Sequence, residues 1–353
     1  MKKKLSIVIP TYDRLPSLKK TLNDLKFQIN DQIEIIISVN KSNHNIIKFS
    51  KQITNNKYFK NTKFFFHKKN IGPVLNLYYT FKKAKYEYIL VLADDDKIEF
   101  GFISRALKLI YKYPGIGIFL HQKKFPQKKE KFSYRIFSRG KDAVYQSFVH
   151  SGSLPGTIFK KSNLKKNFLN KLKISNLYPQ LYFMSKMAET SDAILVTYDK
   201  QILMGRNLRK YNDRMILNYT KERGDDHGLT MRNDVVKKLF TSKKFNSFNK
   251  EIFLMHSNRF FYQRCLYFVK MKKYDFLKKK IIPSYIKSDQ NRSSFSFYFY
   301  WTKLLFKHKI FRQFFKDKII FRLLKDITDY SLYLGFFEIL KLFLKSKFKL
   351  MKF

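Results

Sequence analysis

Cysteine is almost missing from this chain of 353 residues: Cys265 stands alone, which excludes an internal disulfide and points to a reducing compartment. Acidic residues are scarce too, with 26 Asp and Glu against 73 Lys and Arg and a formal net charge of +47. Such a surface is drawn to polyanions, whether nucleic acid, anionic lipid or phosphate-bearing substrates. The cations are mostly Lys, accompanied by many Asn, Ile, Phe and Tyr, a mixture that an AT-rich genome would encode. Long apolar runs are absent as well. No window of about 18 residues is apolar enough to span a bilayer. The nearest approach, Tyr330 to Leu344, is interrupted by Glu338 and Lys341. The start, Met1-Lys2-Lys3-Lys4 followed by Leu5 to Pro10, has too short an apolar core for a secretory signal. These absences lead us to expect a cytoplasmic protein, soluble or peripheral on the inner face of the cytoplasmic membrane. No glycine precedes Gly72, so the first strand carries no Gly-rich phosphate loop.

What is present is an alternation of strands and helices. Leu5 to Pro10 is a continuous apolar run ending in a turn signal, the pattern of a strand buried on both faces. Ser17 to Phe27 has helical spacing, with Leu18, Leu22 and Leu25 on one side. Glu34 to Val39, Thr62 to His67 and Tyr88 to Ala93 read as further strands, and Ile71 to Ala84 and Phe102 to Tyr113 as helices. This alternation predicts an α/β fold, a mainly parallel sheet flanked by helices. Ligands of such sheets sit beyond the carboxyl ends of the strands. The alternation becomes irregular past about residue 115. Lys123 to Lys131 reads as an exposed loop, Thr157 to Phe159 as a short strand, and Pro179 as a helix start continued by Leu181 to Ala188. From about residue 230 onward the chain reads as helical. We therefore expect three segments, 1–115, 116–230 and a basic, aromatic helical region over 231–353.

Chemistry concentrates in Asp94-Asp95-Asp96, directly behind the strand Ile89-Leu90-Val91-Leu92. Adjacent carboxylates repel one another unless a cation compensates them. At a strand's carboxyl end they suit a hard divalent ion, Mg²⁺ or Mn²⁺, that also holds phosphate oxygens. A solvated acidic turn is the plainer reading. In a chain so poor in acids, three together behind a buried strand favour the metal. His67 and His227 show no metal-ligand spacing with any partner; His121 and His150 are candidates to contact a phosphate or an acceptor group, although a lone histidine near a strand is more often structural.

The context of the aspartates resembles a known family. Ser6-Ile7-Val8-Ile9-Pro10-Thr11-Tyr12-Asp13-Arg14 looks like the opening strand and loop of family 2 glycosyltransferases, which have the GT-A fold. Asn70-Ile71-Gly72-Pro73, with Asn76 beyond, looks like their Asn-x-Gly helix start, and Leu92 to Asp96 like their aspartate motif. With the second strand these are four matches in order, and the resemblance covers residues 4–115. A narrower similarity, carried by Asn70-Ile71-Gly72-Pro73, Tyr178-Pro179-Gln180 and Gly205-Arg206-Asn207, is to the abequosyltransferase-like members that build O-antigen and related glycans.

The resemblance implies a nucleotide-sugar donor and an inverting transfer to an acceptor hydroxyl without a covalent intermediate. It implies that Pro10, Thr11 and Tyr12 line the base, with Asp13, Asn40, Ser42, Asn70, Gly72 and Asn76 around the nucleotide. Asp95 or Asp96 would ligate Mn²⁺ or Mg²⁺, Asp94 or Asp95 would meet the ribose, and Arg206 would clamp the diphosphate. Two departures stand out. Val39 occupies a position where many relatives carry Asp, which leaves the donor nucleotide open. Where relatives place an acidic pair, this chain reads Asn176-Leu177-Tyr178-Pro179-Gln180, so the general base is unassigned and Glu189 is a weak candidate. The turn Ser151 to Thr157 shapes an acceptor pocket on one reading and is a plain hairpin turn on the other.

Residues 300–353 hold 13 Lys and Arg against four acids, interleaved with Phe and Leu. Phe336, Ile339, Leu340 and Phe343 share a helical face, as in a helix lying in the headgroup layer of an anionic membrane. An ordinary helical bundle with a basic outer face fits equally. Membrane attachment would suit a lipid-linked glycan acceptor. A rival class, a nucleic-acid- or polyanion-binding protein without transferase activity, draws on the charge alone. It leaves the aspartates unexplained, and we expect no specific nucleic-acid partner. A metal-dependent nuclease, a nucleotidyltransferase and a catalytically dead glycan-binding relative rank lower.

Overall fold

In a computed structural model the described residues are 4–41, 43–121, 132–152, 154–169, 176–197, 202–203, 231, 234, 235, 238 and 239. The loop expected over Lys123 to Lys131, and nearly all of the helical region expected over 231–353, lie outside them. The chain divides into two compact units, residues 1–224 with 234–245, and residues 225–233 with 246–353. The fold described below belongs to the first.

Ten strands and seven α-helices are described. The strands are β1 (Leu5–Thr11), β2 (Ile33–Val39), β3 (Thr62–Phe66), β4 (Tyr88–Val91), β5 (Lys97–Ile98), β6 (Ile118–His121), β7 (Ser133–Phe137), β8 (Ile158–Lys160), β9 (Ala193–Thr197) and β10 (Ile202–Leu203). The helices are α1 (Leu15–Leu25), α2 (His44–Thr54), α3 (Pro73–Lys83), α4 (Phe102–Lys112), α5 (Lys141–His150), α6 (Lys166–Leu169) and α7 (Pro179–Ala188). Eight strands form one sheet in the order β3-β2-β1-β4-β8-β6-β9-β7. β3, β2, β1 and β4 run parallel, while β8 enters antiparallel between β4 and β6. β6 and β9 are parallel again and β7 pairs antiparallel with β9 at the edge. The expected α/β sheet is therefore present, and it is mixed in its second half.

Burial explains the first half. Leu5, Ile7, Val8 and Ile9 of β1 and all seven residues of β2 are buried, as central strands covered on both faces must be. Leu18, Leu22 and Leu25 of α1 pack on this sheet within one continuous apolar cluster that reaches Ile103 and Ile110 of α4. α3 begins at Pro73, favoured at a helix start because its missing N–H has no helical partner to lose. The preceding Gly72 has φ 82 and ψ 162, a conformation open essentially to glycine alone.

Two elements were not legible in the spacing. α2 is short and amphipathic, and Asn43 caps it by accepting from Ile46 N–H at 3.1 Å. α5 buries only Ala143, Val144, Ser147 and Phe148, too few apolar positions to mark a helix beside so many polar neighbours.

One buried charge ties the sheet together. Glu34, at the start of β2, accepts from Ser6 Oγ of β1 at 2.7 Å and from the Lys85 backbone N–H at 2.6 Å. Ser6 Oγ in turn accepts from the Tyr86 N–H at 3.1 Å, so the α3–β4 connection is fastened to β1 and β2. Replacing Glu34 by Ala leaves these donors buried and unmatched. We expect Glu34→Ala to lower unfolding free energy by about 2–4 kcal/mol, with Glu34→Gln losing less, as read by urea denaturation.

Candidate functional site

The parallel register brings the carboxyl ends of β1, β2 and β4 together. Val8 pairs with Val91, so three residues further along Thr11 faces Asp94. Thr11 Oγ1 donates to Asp94 Oδ2 at 2.6 Å, and both groups are buried. Asp94, Asp95 and Asp96 are 3 %, 8 % and 1 % exposed, which rules out a solvated acidic turn. Arg14, just after β1, donates through Nη1 to Asp94 Oδ1 at 3.1 Å and to Asp95 Oδ2 at 2.9 Å. Asp96 turns back on its own segment, where Oδ2 accepts from the Ala93 N–H at 2.8 Å. Burial pushes the Asp94 carboxyl up to about 6, while the Arg14 guanidinium and the Thr11 hydroxyl hold it back from rising further.

Thr21 completes the aspartate turn, and no sequence signal marked it. This buried residue of α1 lies within hydrogen-bond reach of the Asp94 carbonyl oxygen at 3.0 Å and the Asp96 carbonyl oxygen at 2.8 Å. Its spacing from the aspartates is over seventy residues, so only the packing of α1 beneath the β4 end reveals the contact.

Around this core lies an asparagine network. Asn40 Nδ2 donates to Asn70 Oδ1 at 2.7 Å, and Asn40 Oδ1 accepts from the Ile71 N–H at 2.7 Å. Asn70 Oδ1 also accepts from the Gly72 N–H at 2.8 Å. Asn76 is buried and spans two strand ends: Nδ2 donates to the Thr11 and Ser38 carbonyl oxygens, and Oδ1 accepts from Ser38 Oγ at 2.6 Å. Its amide is thus committed to the protein, and its part in the site is to hold β1 beside β2. Because Ser38 donates to Asn76, it accepts from His67 Nε2 at 2.9 Å, which assigns the proton to that nitrogen. Burial holds His67 below its usual pKa.

Tyr12 (40 % exposed) and Asp13 stand out from this edge, and Pro10 is half-buried below them. Asp13 (φ 50) and Lys41 (φ 63) are left-handed, so the chain turns sharply after both β1 and β2. Ser42 and Arg206 lie outside the described residues.

A segment of the second half of the sheet reaches the same edge. Val91 N–H donates to the Thr157 carbonyl and Gly156 N–H to the Val91 carbonyl, which sets the Ser151 to Thr157 turn beside the end of β4. Gln180, near the start of α7, donates to the Gly152 carbonyl at 3.3 Å. Glu189 is carried away from this edge. It caps the far end of α7, ion-paired with Lys186, where Ala188 meets Gly140 and Asp192 meets Gly117 at the start of β6. Ten helical residues at about 1.5 Å each separate the two ends of α7, so Glu189 does not face the aspartates.

A divalent cation matches the donor set in chemistry, because hard oxygen ligands surround the position that one guanidinium shares between two carboxylates. Among the described residues no three His, Cys, Asp or Glu side chains come together as a group that could hold a metal ion.

The family profile of glycosyl transferase family 2 matches residues 6–188, more than half of the chain and all of this edge. The chain belongs to glycosyl transferase family 2. Among similar sequences, an uncharacterized glycosyltransferase of Rickettsia bellii is 28 % identical over 162 residues, covering 45 % of this chain and 20 % of that protein. One from Rickettsia conorii is 28 % identical over 156 residues, covering 44 % and 23 %. The chain thus spans about a fifth of the length of these relatives. Among solved structures, S. aureus TarS 1–349 in complex with UDP-GlcNAc superposes with a TM-score of 0.55 at 14 % identity, covering 81 % of this chain and 79 % of that one. The Pyrobaculum calidifontis mannosyltransferase PcManGT, bound to GDP-Man and Mn²⁺, gives 0.50 at 10 % identity, covering 94 % and 88 %. These likenesses establish the GT-A type fold.

The Thr21 contact yields a test of the family's aspartate turn in this chain. Thr21→Val, which keeps the volume and removes the hydroxyl, is expected to lose about 1–2 kcal/mol of stability, and Thr21→Ser to retain most of it. Chemical denaturation of the three proteins measures the difference.

Proposed function

We propose that this protein is an inverting, metal-dependent glycosyltransferase that moves a hexosyl or deoxyhexosyl group from a nucleotide-sugar to a glycan acceptor. The observation that carries the proposal is the buried aspartate turn at the carboxyl edge of β4, bonded to Thr11 and Arg14 of the opening loop. In this reading residues 1–115 bind the donor and residues 116–230 the acceptor. Tyr12 offers an exposed ring for the base to stack on, while Asp13, Asn40, Asn70 and Gly72 shape the nucleotide side. Asn76 acts beneath them by holding the strand ends together. The ligands bound to the superposed enzymes, UDP-GlcNAc and GDP-Man, support a nucleotide-sugar as the donor class.

Asp95, the most exposed of the three aspartates, and its neighbours Asp94 and Asp96 would hold Mn²⁺ or Mg²⁺. Bound there, the ion would neutralise the donor diphosphate and make it a better leaving group. The residues themselves orient the donor and exclude water from the carboxylates. The acceptor hydroxyl enters from the side of Gly152, Thr157 and Gln180, and its proton passes to a group other than Glu189. Arg206 is assigned to the diphosphate by sequence resemblance alone.

The acceptor in this proposal is a lipid-linked glycan of bacterial surface polysaccharide synthesis, of the O-antigen, capsule or lipooligosaccharide kind. The enzyme would work peripherally on the cytoplasmic face of the membrane, held by the basic, aromatic residues 231–353. No helix among the described residues is long and apolar enough to cross a membrane.

Calorimetric titration with UDP, GDP, CDP and dTDP, with and without Mn²⁺, tests the donor site. One nucleotide is expected to bind in a Mn²⁺-dependent way, and Asp95→Asn is expected to weaken it at least about tenfold, the scale of one lost charged contact. Mn²⁺-independent behaviour towards all four would remove the proposal and return attention to polyanion binding.

A further inference from the structure

Two phenylalanines stand out from the first unit without serving its core. Phe27 is 66 % exposed and Phe100 is 69 % exposed, and neither belongs to the continuous apolar cluster. A single side chain ties their segments together. Gln28, next to Phe27, accepts through Oε1 from the Gly101 N–H at 3.1 Å and the Ile103 N–H at 3.4 Å, and Gly101 follows Phe100. Gly101 is left-handed (φ 89), so the chain turns sharply behind Phe100. Tyr58 joins the group, its ring edge-on to Phe27 with centroids 5.8 Å apart. Lysines frame these rings. Lys26 Nζ lies over Phe27 at 5.2 Å and over Tyr58 at 4.8 Å, and Lys57 Nζ lies over Tyr58 at 5.5 Å. Of the acids in these segments, Asp31 is paired with Lys60 at 2.8 Å and Asp24 accepts from the Ile98 N–H at 3.4 Å. Glu99 adjoins Phe100, and Lys97 in the same loop matches its charge.

This surface lies close to the aspartate turn. Phe100 follows Asp96 by four residues, at most about 14 Å of extended chain. Thr21, within 2.8 Å of the Asp96 carbonyl oxygen, precedes Phe27 by six residues, about 9 Å at the helical rise. Phenylalanine rings held in water are unfavourable, and rings flanked by lysine suit the boundary between headgroups and acyl chains. There the rings enter the apolar layer while the ammonium groups reach back to lipid phosphates. We propose that Phe27, Tyr58 and Phe100, with Lys26 and Lys57, form a membrane-contact surface that seats the first unit on an anionic bilayer. A second copy of the chain is a poorer occupant, because two molecules of net charge +47 repel each other. The proposal rests on the peripheral attachment proposed above and assigns part of it to named residues of the first unit. A bilayer touching Phe100 keeps a lipid-linked acceptor near the aspartates.

The experiment is cosedimentation of the full chain with vesicles of phosphatidylcholine, alone or mixed equally with phosphatidylglycerol, at low and high salt. Wild type, Phe27→Ser/Phe100→Ser, Phe27→Leu/Phe100→Leu and Ile136→Ser are compared, with thermal melts confirming that each is folded. Ile136 is an exposed apolar residue of β7 and serves as the control. Wild type is expected to bind the mixed vesicles and to keep part of that binding at high salt, where attraction between charges is screened. The serine variant is expected to bind at least about tenfold more weakly and to lose the salt-resistant part, because two apolar rings no longer enter the bilayer. The leucine variant should stay within about threefold of wild type, and Ile136→Ser should match it. Should the serine double variant not fold, Phe100→Ser alone is expected to weaken binding at least about threefold. If wild type binds and the serine variant binds equally well, the surface assignment is wrong while peripheral attachment stands. If wild type binds neither kind of vesicle, peripheral attachment itself fails and the proposal falls with it. A wild-type dimer in sedimentation velocity that the serine variant loses, without any difference in vesicle binding, gives the surface to a second copy and overturns the proposal.

Discussion

The parallel pairing of β1 with β4 is the constraint from which the rest of the site descends. With Val8 opposite Val91, the two chains leave the sheet together, and Thr11 and Asp94 meet three residues later. A shift of that register by one residue would turn Thr11 away from Asp94. The buried residues of β1 and β2 hold the register, so the core underwrites the position of a carboxylate that water does not reach. The same sheet edge gathers Asn40 and Asn70 on one flank and the Ser151 to Thr157 turn on the other.

Charge gives the site its character. The protein is basic throughout, yet three of the buried carboxylates among the described residues stand in consecutive positions. Burial of like charges is unfavourable, and here it is offset by a hydroxyl, a guanidinium, a backbone N–H and the fastening of the turn by Thr21. An arrangement that strained and that well supported fits a site whose charge is used on a ligand.

Membership of glycosyl transferase family 2 rests on residues 6–188, which include every element that builds this edge as far as α7. The superposed enzymes share the fold at low identity, so the architecture has persisted where the side chains have not. That pattern is the expected one for a sheet whose strands need only be apolar while its carboxyl edge changes with the ligand.

Much of the first half was legible in the sequence by itself. The apolar runs of β1, β2 and β4 and the spacing of Leu18, Leu22 and Leu25 report burial directly, because strands buried on both faces and helices buried on one leave periodic traces. Asp94 to Asp96 stood out because acids are rare here and a strand precedes them. The antiparallel entry of β8, the helix α5 and the role of Thr21 were not legible, since each depends on contacts between residues distant in the chain. The same reason explains Glu189. Sequence placed it in a helix opened by Pro179, but which end of α7 faces the aspartates is decided by the Gln180 to Gly152 contact and by where Ala188 meets Gly140. Local periodicity records what is buried; which buried groups touch is settled only when the sheet closes over seventy or more residues of intervening chain.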